Sequence, residues 1–198
     1  MTADPRSSGW KLPVASRACT WIKYSKRLHI LVLLLYAVPS MAGWIDHDGR
    51  AISDRQDAKS SDGFGVMLVL TADEVAFSRA WNSSMQRPVL QTTNRVQRGK
   101  SVSAMLLFSG CKSNSEGTCN VSIAYRLVGP DGTVQNVGPY NVWQRTAPKP
   151  GVVQLGDAHL TLSLGNNDPI GKYVVSATIT DRNSGASIAV STTLTVTD

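Results

Sequence analysis

GKYVVSATIT, residues 171–180, and SIAVSTTLTV, residues 187–196, are two ten-residue segments in which apolar and polar side chains alternate. Successive side chains of a β-strand point to opposite faces, so every second residue of each segment is positioned to face a core. The intervening residues 181–185, Asp-Arg-Asn-Ser-Gly, are typical of a tight turn. The pattern predicts a β-hairpin whose buried face is formed by Tyr173, Val175, Ala177, Ile179, Ile188, Val190, Thr192, Leu194 and Val196.

Further short β-prone runs occur upstream and are separated by turn sequences. Residues 129–132, Gly-Pro-Asp-Gly, and residues 166–169, Asn-Asn-Asp-Pro, have the composition that tight turns require. Many short strands at this spacing favour a two-sheet sandwich over a barrel. The predicted strands before the hairpin cover about residues 64–70, 89–97, 101–109, 120–128, 133–137, 141–144, 152–155 and 160–164.

One short helix is predicted after the first of these strands. Thr71-Ala72-Asp73-Glu74 has the capping-box pattern, in which Thr71 is the N-cap and Glu74 its partner. Apolar residues then recur every three or four positions, which predicts a helix face packed on a sheet: Val75, Ala76, Phe77, Ala80 and Trp81. The predicted fold class is therefore mostly β, an antiparallel β-sandwich with one short helix near the start of the mature domain.

The final segment resembles the terminal hairpin of immunoglobulin-like and fibronectin-like sandwich modules. The residues that carry the resemblance are 168–181, with Gly171-Lys172-Tyr173 at the centre, followed by Leu194-Thr195-Val196. The resemblance implies an immunoglobulin-like β-sandwich in which Tyr173 packs at a corner and its hydroxyl bonds back to the main chain. Val175 stands where antibody-type domains have a cysteine.

A wider pattern is similar to uncharacterised periplasmic proteins of Gram-negative bacteria. It comprises residues 64–81, then Arg98-Gly99-Lys100, then Phe108-Ser109-Gly110-Cys111. This resemblance implies a location and no activity.

The beginning of the chain has the three parts of a secretory signal peptide. Lys26 and Arg27 precede an apolar run over residues 28–38, and Ser40-Met41-Ala42 gives the small-residue exit. The run is about eleven residues long, whereas a helix that spans a bilayer needs about twenty. We predict a signal peptide over residues 1–42 and a periplasmic or secreted protein. The alternative is an uncleaved segment, which would be the protein's only contact with a membrane.

Removal of this leader changes the charge of the protein. The whole chain has 20 Lys and Arg against 14 Asp and Glu, a net charge of +6. Residues 1–42 hold six of the basic residues and one acidic residue, so the remainder has a net charge of +1. In that remainder Arg95, Arg98 and Lys100 form the one tight basic group, which is too small for a nucleic-acid surface. Nucleic acid is therefore not expected as a partner.

Two cysteines, Cys111 and Cys119, remain after cleavage at residue 42. An even number of cysteines in an exported chain predicts that they are bonded to each other. The polar residues 112–118 lie between two β-prone runs, so we expect a hairpin whose loop is clamped at its base. A redox-active pair is the alternative, although such centres usually have C-x-x-C spacing.

The mature chain is long enough for one domain with its own core. Residues 43–62 are polar and show no sustained periodicity, which predicts a flexible leader. The β-sandwich domain is predicted to occupy residues 63–198, with the folded part beginning near Phe64.

Few residues of the mature chain suggest catalysis. Its histidines are His47 and His159, and neither a G-x-S-x-G nor an H-E-x-x-H motif occurs. Asp46-His47-Asp48 offers oxygen and nitrogen ligands for a metal, but a solvated acidic tail explains it equally well. We therefore expect no enzyme activity and no cofactor, and we assign no catalytic or metal-binding residue.

The segment over residues 139–151 offers the best candidates for binding. Tyr140, Trp143 and Arg145 are residue types that often anchor protein interfaces. The alternative is that Trp143 fills the core, as large aromatic residues commonly do.

The function predicted from these observations is that of an exported, noncatalytic β-sandwich protein. It would act by protein–protein interaction in the periplasm or cell envelope, with an envelope or secreted protein as its partner. One alternative is a secreted inhibitor or carbohydrate-binding module that uses the loop at Trp143 or the clamped loop over residues 112–118. A second alternative is a hydrolase or metal protein whose residues the sequence does not reveal.

Overall fold

The computed structural model describes residue 44, residue 50, residues 52–83 and residues 88–198 of the chain. The predicted signal peptide and the triplet Asp46-His47-Asp48 lie outside these residues. Within the described part no helix has the length and apolar character that a bilayer span requires.

The described residues form two β-sheets and one short helix. The elements in chain order are β1 Ala58–Ser61, β2 Phe64–Thr71, α1 Glu74–Trp81, β3 Arg95–Gln97, β4 Ser101–Ser109, β5 Val121–Val128, β6 Val134–Trp143, β7 Gln154–Leu155, β8 Leu160–Ser163, β9 Gly171–Asp181 and β10 Ser187–Thr197.

Five strands belong to each sheet. Sheet 1 has the order β1-β2-β4, and both β7 and β8 pair with the far side of β4; sheet 2 has the order β3-β10-β9-β5-β6. All pairings are antiparallel except that of β3 with β10, which is parallel. The prediction of a mostly β, two-sheet sandwich with one short helix is confirmed, with this one parallel pair as a departure.

The predicted terminal hairpin is present as β9 and β10. Their pairing runs from Thr180 opposite Ser187 to Gly171 opposite Val196. All the residues predicted for its inner face are buried except Thr192, which is half-buried. The alternation in the sequence therefore identifies the core side of both strands correctly.

The core lies between the inner faces of the two sheets. Sheet 1 contributes residues such as Val66 and Leu106, and sheet 2 contributes Ile123 and Ile179, all fully buried. Tyr125 of β5 crosses this layer, since its hydroxyl donates to the carbonyl oxygen of Ala104 in β4 at 3.3 Å. Burial raises the pKa of the Tyr125 hydroxyl, so this donor stays protonated through the neutral range.

Tyr173 fixes the beginning of β9 in the way that the immunoglobulin-like resemblance implies. Its hydroxyl donates to the carbonyl oxygen of Pro169, four residues earlier, at 2.8 Å. Partial burial raises the pKa of Tyr173, and the nearby carboxylates of Asp168 and Asp131 raise it further. The phenol therefore remains a neutral donor, and it closes the turn that leads into the strand.

Part of the predicted flexible leader is structured, which corrects the boundary near Phe64. Ala58–Ser61 forms β1 and pairs with β2 along all four residues. Trp44 is only 8% exposed, and its indole Nε1 donates to the carbonyl oxygen of Lys59 at 3.1 Å. The polar sequence concealed this strand because a short edge strand is held by backbone hydrogen bonds and by few apolar side chains.

The helix begins later than predicted, and Asp73 is its N-cap in place of Thr71. The Asp73 carboxylate accepts from the backbone N–H of Ala76 at 2.8 Å, while the Thr71 hydroxyl accepts from the N–H of Asp73. Phe77 is fully buried as expected, but Val75 is 65% exposed. Each residue of a helix turns by about 100°, so Val75 lies on the side of α1 opposite to Phe77, and the prediction for Val75 was wrong.

Strand β6 joins two segments that the sequence separates. Separate strands were predicted over residues 133–137 and 141–144, yet β6 continues through Gly138-Pro139, with irregular register against β5 between Ile123 and Tyr125. Proline is tolerated here because β6 is an edge strand, where one side of the backbone needs no partner. Elsewhere the prediction was too long: of the strand predicted over residues 89–97, only the three residues of β3 form a strand.

The hydrogen bond of Tyr173 provides a test of this fold. Replacement of Tyr173 by Phe is expected to lower the free energy of unfolding by about 1 kcal/mol, the usual net contribution of one hydrogen bond. Tyr140→Phe is the control, because that side chain is 46% exposed and its substitution should change little. Urea denaturation of the three proteins measures the difference. Equal stability of the two variants would contradict the role of Tyr173.

Candidate functional site

The structure separates the three residues that the sequence groups as a binding site. Tyr140 lies in β6 opposite Ile123 and is 46% exposed. Trp143 is the last residue of β6 and is only 8% exposed, and Arg145 follows in the exposed connection. Trp143 and Arg145 contact each other, whereas Tyr140 lies apart from them on the open edge of sheet 2.

Trp143 is engaged on several sides. Its ring packs edge-to-face on Phe108 of β4, with centroids 5.4 Å apart and an interplanar angle of 73°. Its indole Nε1 donates to the carbonyl oxygen of Thr146 at 3.1 Å. The guanidinium carbon of Arg145 lies 3.8 Å from the ring centroid. These contacts favour the interpretation of Trp143 as a residue that fills the core.

Arg145 is held in place by an acidic partner that the sequence did not indicate. Its guanidinium donates to Asp157 at 2.9 Å, and both side chains are about half exposed. The backbone N–H of Asp157 in turn donates to the carbonyl oxygen of Val142 at 3.0 Å. Gly156 permits this approach, since a Cβ at that position would lie 3.3 Å from the Cβ of Val142. The connection after β7 thereby covers the end of β6.

A groove of about 310 Å³ lies beside this ion pair, between α1 and the end of β7. Ser78 and Trp81 of α1 line one side, and Trp143 with Arg145 lines another. Met105, which points outward from β4, also lines it. The groove thus combines two indole rings with polar side chains, which are groups that small-molecule sites commonly contain.

A second polar pair lies in the same groove. The Nε2 atom of His159 is 2.8 Å from the carboxylate of Glu74, which also accepts from the hydroxyl of Ser103 at 3.2 Å. Ser103 is within 3.1 Å of the hydroxyl of Thr161. His159 is therefore a loop residue with a carboxylate partner. Among the described residues no three His, Cys, Asp or Glu side chains lie close enough together to hold a metal.

The predicted disulfide joins Cys111 to Cys119, with a Cα–Cα distance of 6.0 Å. The hairpin predicted around it was wrong, because β4 belongs to sheet 1 and β5 to sheet 2. The disulfide therefore closes the connection that crosses between the two sheets. Two consecutive strand-like runs with a polar loop have the same local pattern in both cases, so the sequence could not distinguish a hairpin from a crossover.

The buried carboxylate of Asp181 attaches this connection to the β9–β10 turn. Asp181 is 1% exposed and accepts from the backbone N–H of Lys112 at 2.8 Å and the hydroxyl of Ser184 at 2.7 Å. The side-chain amide of Asn183 donates to the carbonyl oxygens of Lys112 and Thr118 at 2.9 and 2.8 Å. Sequence reasoning assigned these residues to a turn and missed their second role, because the bonds join positions about seventy residues apart.

Comparison with known proteins assigns the chain to no family. No protein-family model matches it, and no curated protein sequence is similar to it. An immunoglobulin-like protein from Pseudomonas aeruginosa is 17% identical, with 56% of this chain and 84% of that protein covered and a TM-score of 0.27. A Niemann-Pick type C2 protein from the Japanese carpenter ant is 8% identical, with 66% and 89% covered and a TM-score of 0.32.

A longer protein also shows partial similarity. A family 123 glycoside hydrolase from Clostridium perfringens is 8% identical, with 67% of this chain covered and a TM-score of 0.39. The chain spans only 27% of the length of that hydrolase. At these identities and TM-scores the similarities carry no assignment of activity or ligand.

The contacts of Trp143 predict what its removal does. Trp143→Ala is expected to lower the free energy of unfolding by about 3–5 kcal/mol, as for other large aromatic residues removed from a core. Arg145→Ala removes an exposed cation–π contact and should cost about 0.5–1 kcal/mol. Chemical denaturation checks both values. A Trp143→Ala protein as stable as the unsubstituted protein would contradict the place of this ring in the core.

Proposed function

We propose that the protein is an exported, noncatalytic β-sandwich that acts by binding another protein in the periplasm or cell envelope. The disulfide between Cys111 and Cys119 supports export, because such bonds persist in oxidising compartments. The predicted signal peptide supports the same destination. An immunoglobulin-like sandwich commonly serves as a binding scaffold, so the fold is compatible with this role.

The observation that carries the proposal is the open edge of sheet 2. β6 is the last strand of that sheet, and from Val134 to Asn141 its only strand partner among the described residues is β5. Seven of these eight residues are exposed, including Tyr140 at 46% and Val134 at 44%. An exposed edge that carries an aromatic and an aliphatic side chain is a natural contact site for another chain.

The sequence of β6 restricts how a partner can bind there. Pro139 removes one backbone donor, and the register against β5 is irregular on both sides of Ile123. A partner strand could not pair continuously along such an edge. We therefore favour contact through side chains, with Tyr140 as the anchor, over the simple addition of a strand.

A second candidate function is the binding of a carbohydrate or another small polar molecule in the groove beside α1. Trp81 offers an aromatic surface, and Asn82, Gln154 and Asp157 offer polar groups around it. A glycan array with the purified protein tests this candidate, and a Trp81→Ala variant is the control. The core position of Trp143 makes that ring less suitable as a stacking surface than Trp81.

The edge proposal predicts a selective loss of partner binding. Affinity capture of the full-length protein from its own envelope after chemical crosslinking is expected to recover one protein in near-equal amount. Tyr140→Asp should reduce this recovery at least about tenfold, since it places a charge at an interface anchor. Val75→Asp is the matched control, because Val75 is 65% exposed and lies on α1, outside the strands of sheet 2.

Two results would contradict the proposal. One is equal recovery with the Tyr140 and Val75 variants, which would remove β6 from the contact. The other is the absence of any protein adduct with the unsubstituted protein, which would remove the function itself. Both variants should first show the same unfolding midpoint as the parent protein.

A further inference from the structure

A row of valines crosses the outward face of sheet 2. Val128 of β5 lies opposite Val134 of β6 on one side and Val174 of β9 on the other, and Thr193 of β10 continues the row. Directly opposite residues share one face of a sheet and lie about 5 Å apart. Since Leu127 and the other alternate residues point into the core, the valines face solvent. Val134 is 44% exposed and Val174 is 39% exposed.

Basic residues lie on both sides of this row. Arg126 of β5 is opposite Ser176 and is the next outward-facing residue before Val128. Lys172 of β9 and Arg95 of β3 both lie opposite Thr195, on the other side of the row. All three basic side chains are exposed. The outward face therefore has an apolar row, at the end of β5 and the beginning of β6, with cations on two flanks.

No acidic residue balances these cations on the same face. The strands of sheet 2 are described in full, and their outward positions include no Asp or Glu. Of the carboxylates near the ends and edges of the sheet, Asp181 is buried, Asp131 is bonded to Thr133, and Asp168 accepts from the N–H of Gly165. Asp57, which lines a pocket with Arg95, is paired with Arg55, and Asp198 is paired with Arg98. The face is thus positively charged, whereas the groove at α1 contains Glu74 and Asp157.

The size of the face matches that of a protein interface. The five strands of sheet 2 contain 3, 8, 10, 11 and 11 residues. With strands about 4.8 Å apart and a rise of about 3.3 Å per residue, they cover an area on the order of 700 Å². One partner contributes about 800 Å² to an interface of standard size. Such interfaces combine apolar and polar groups, and the valine row with its flanking cations offers both.

We propose that the outward face of sheet 2 is the docking surface for an acidic protein, whose apolar patch covers Val128, Val134 and Val174 and whose carboxylates meet Arg126, Lys172 and Arg95. This inference rests on the proposed function and adds the chemistry of the partner. Charge complementarity of this kind accelerates association and selects among partners. Because Val134 belongs to β6, the docking surface reaches the open edge strand that also carries Tyr140, six residues further along.

A protein fits the face better than a nucleic acid or a membrane does. Duplex DNA presents a charge about every 1.7 Å, so three widely spaced cations would neutralise few phosphates. The valines between them cannot bind phosphate groups. Lys172 and Ser176 are four residues apart on β9, which separates the two basic rows by about 13 Å. The aromatic side chains that insert at a bilayer interface do not occur at the outward positions of these strands.

Site-specific photocrosslinking tests this inference in the full-length protein. A benzophenone amino acid at position 174, in the cells that produce the protein, should give one discrete adduct with a protein, attached near a cluster of its Asp and Glu residues. The double charge reversal Lys172→Glu with Arg95→Glu should lower the adduct yield at least about tenfold. Lys100→Glu with Lys149→Glu is the matched control, since both lysines are exposed and lie outside the strands of sheet 2.

Every other outcome overturns the inference about the outward face and shows whether the proposed function still stands. A protein adduct from position 140 without one from position 174 would leave the function standing and remove this face from it. An adduct from position 174 that is insensitive to the charge reversal would show that the partner is not acidic there. An adduct of position 174 with lipid or nucleic acid would overturn this inference, and the absence of a protein adduct from either position would overturn the function as well. Equal unfolding midpoints of all variants exclude misfolding as the cause.

Discussion

The pairing of β9 with β10 is the constraint on which the rest of the structure depends. The two strands lie side by side in the middle of sheet 2, with β5 beyond β9 and β3 beyond β10. Their side chains alternate strictly, so a slip of one residue would turn the whole buried set to solvent. This register decides which residues form the core and which form the outward face. The valines and the flanking cations face outward because the residues that alternate with them, such as Tyr173 and Val175, are buried in the core.

Both ends of β9 are fixed by side-chain hydrogen bonds to the backbone, one to the preceding turn and one to a segment distant in sequence. Tyr173 closes the turn before the strand, and Asp181 ends the strand by accepting from the N–H of Lys112 in the disulfide-closed connection. The central hairpin is thereby tied to the crossover between the sheets. The opposite side of sheet 2 has no such closure, since β6 is exposed from Val134 to Asn141. The proposed partner therefore contacts the open edge at β6 and the outward face beside it. Both are positioned by β9 and β10, the strands that are fixed at the centre of the sheet.

The sequence predicts the features that depend on local pattern. Alternation identifies the buried residues of β9 and β10, and the cysteine count identifies the disulfide. Features that depend on long-range pairing were missed: β1 has too few apolar residues to be recognised, and the sheet change between β4 and β5 leaves no local trace. The same limit holds for the site. The sequence indicated Arg145 and Trp143 as candidates, but not that Asp157 holds Arg145, nor that Tyr140 lies apart from both.

Amide hydrogen exchange of the intact protein tests the central role of the β9–β10 pairing most directly. Amides of paired central strands should exchange only when the whole domain unfolds, whereas edge strands exchange through local opening. We expect the slowest amides to lie in β9 and β10, at least about a thousandfold slower than those of Val134–Asn141. Exchange in β9 and β10 as fast as in that edge segment would show that the hairpin does not organise the fold.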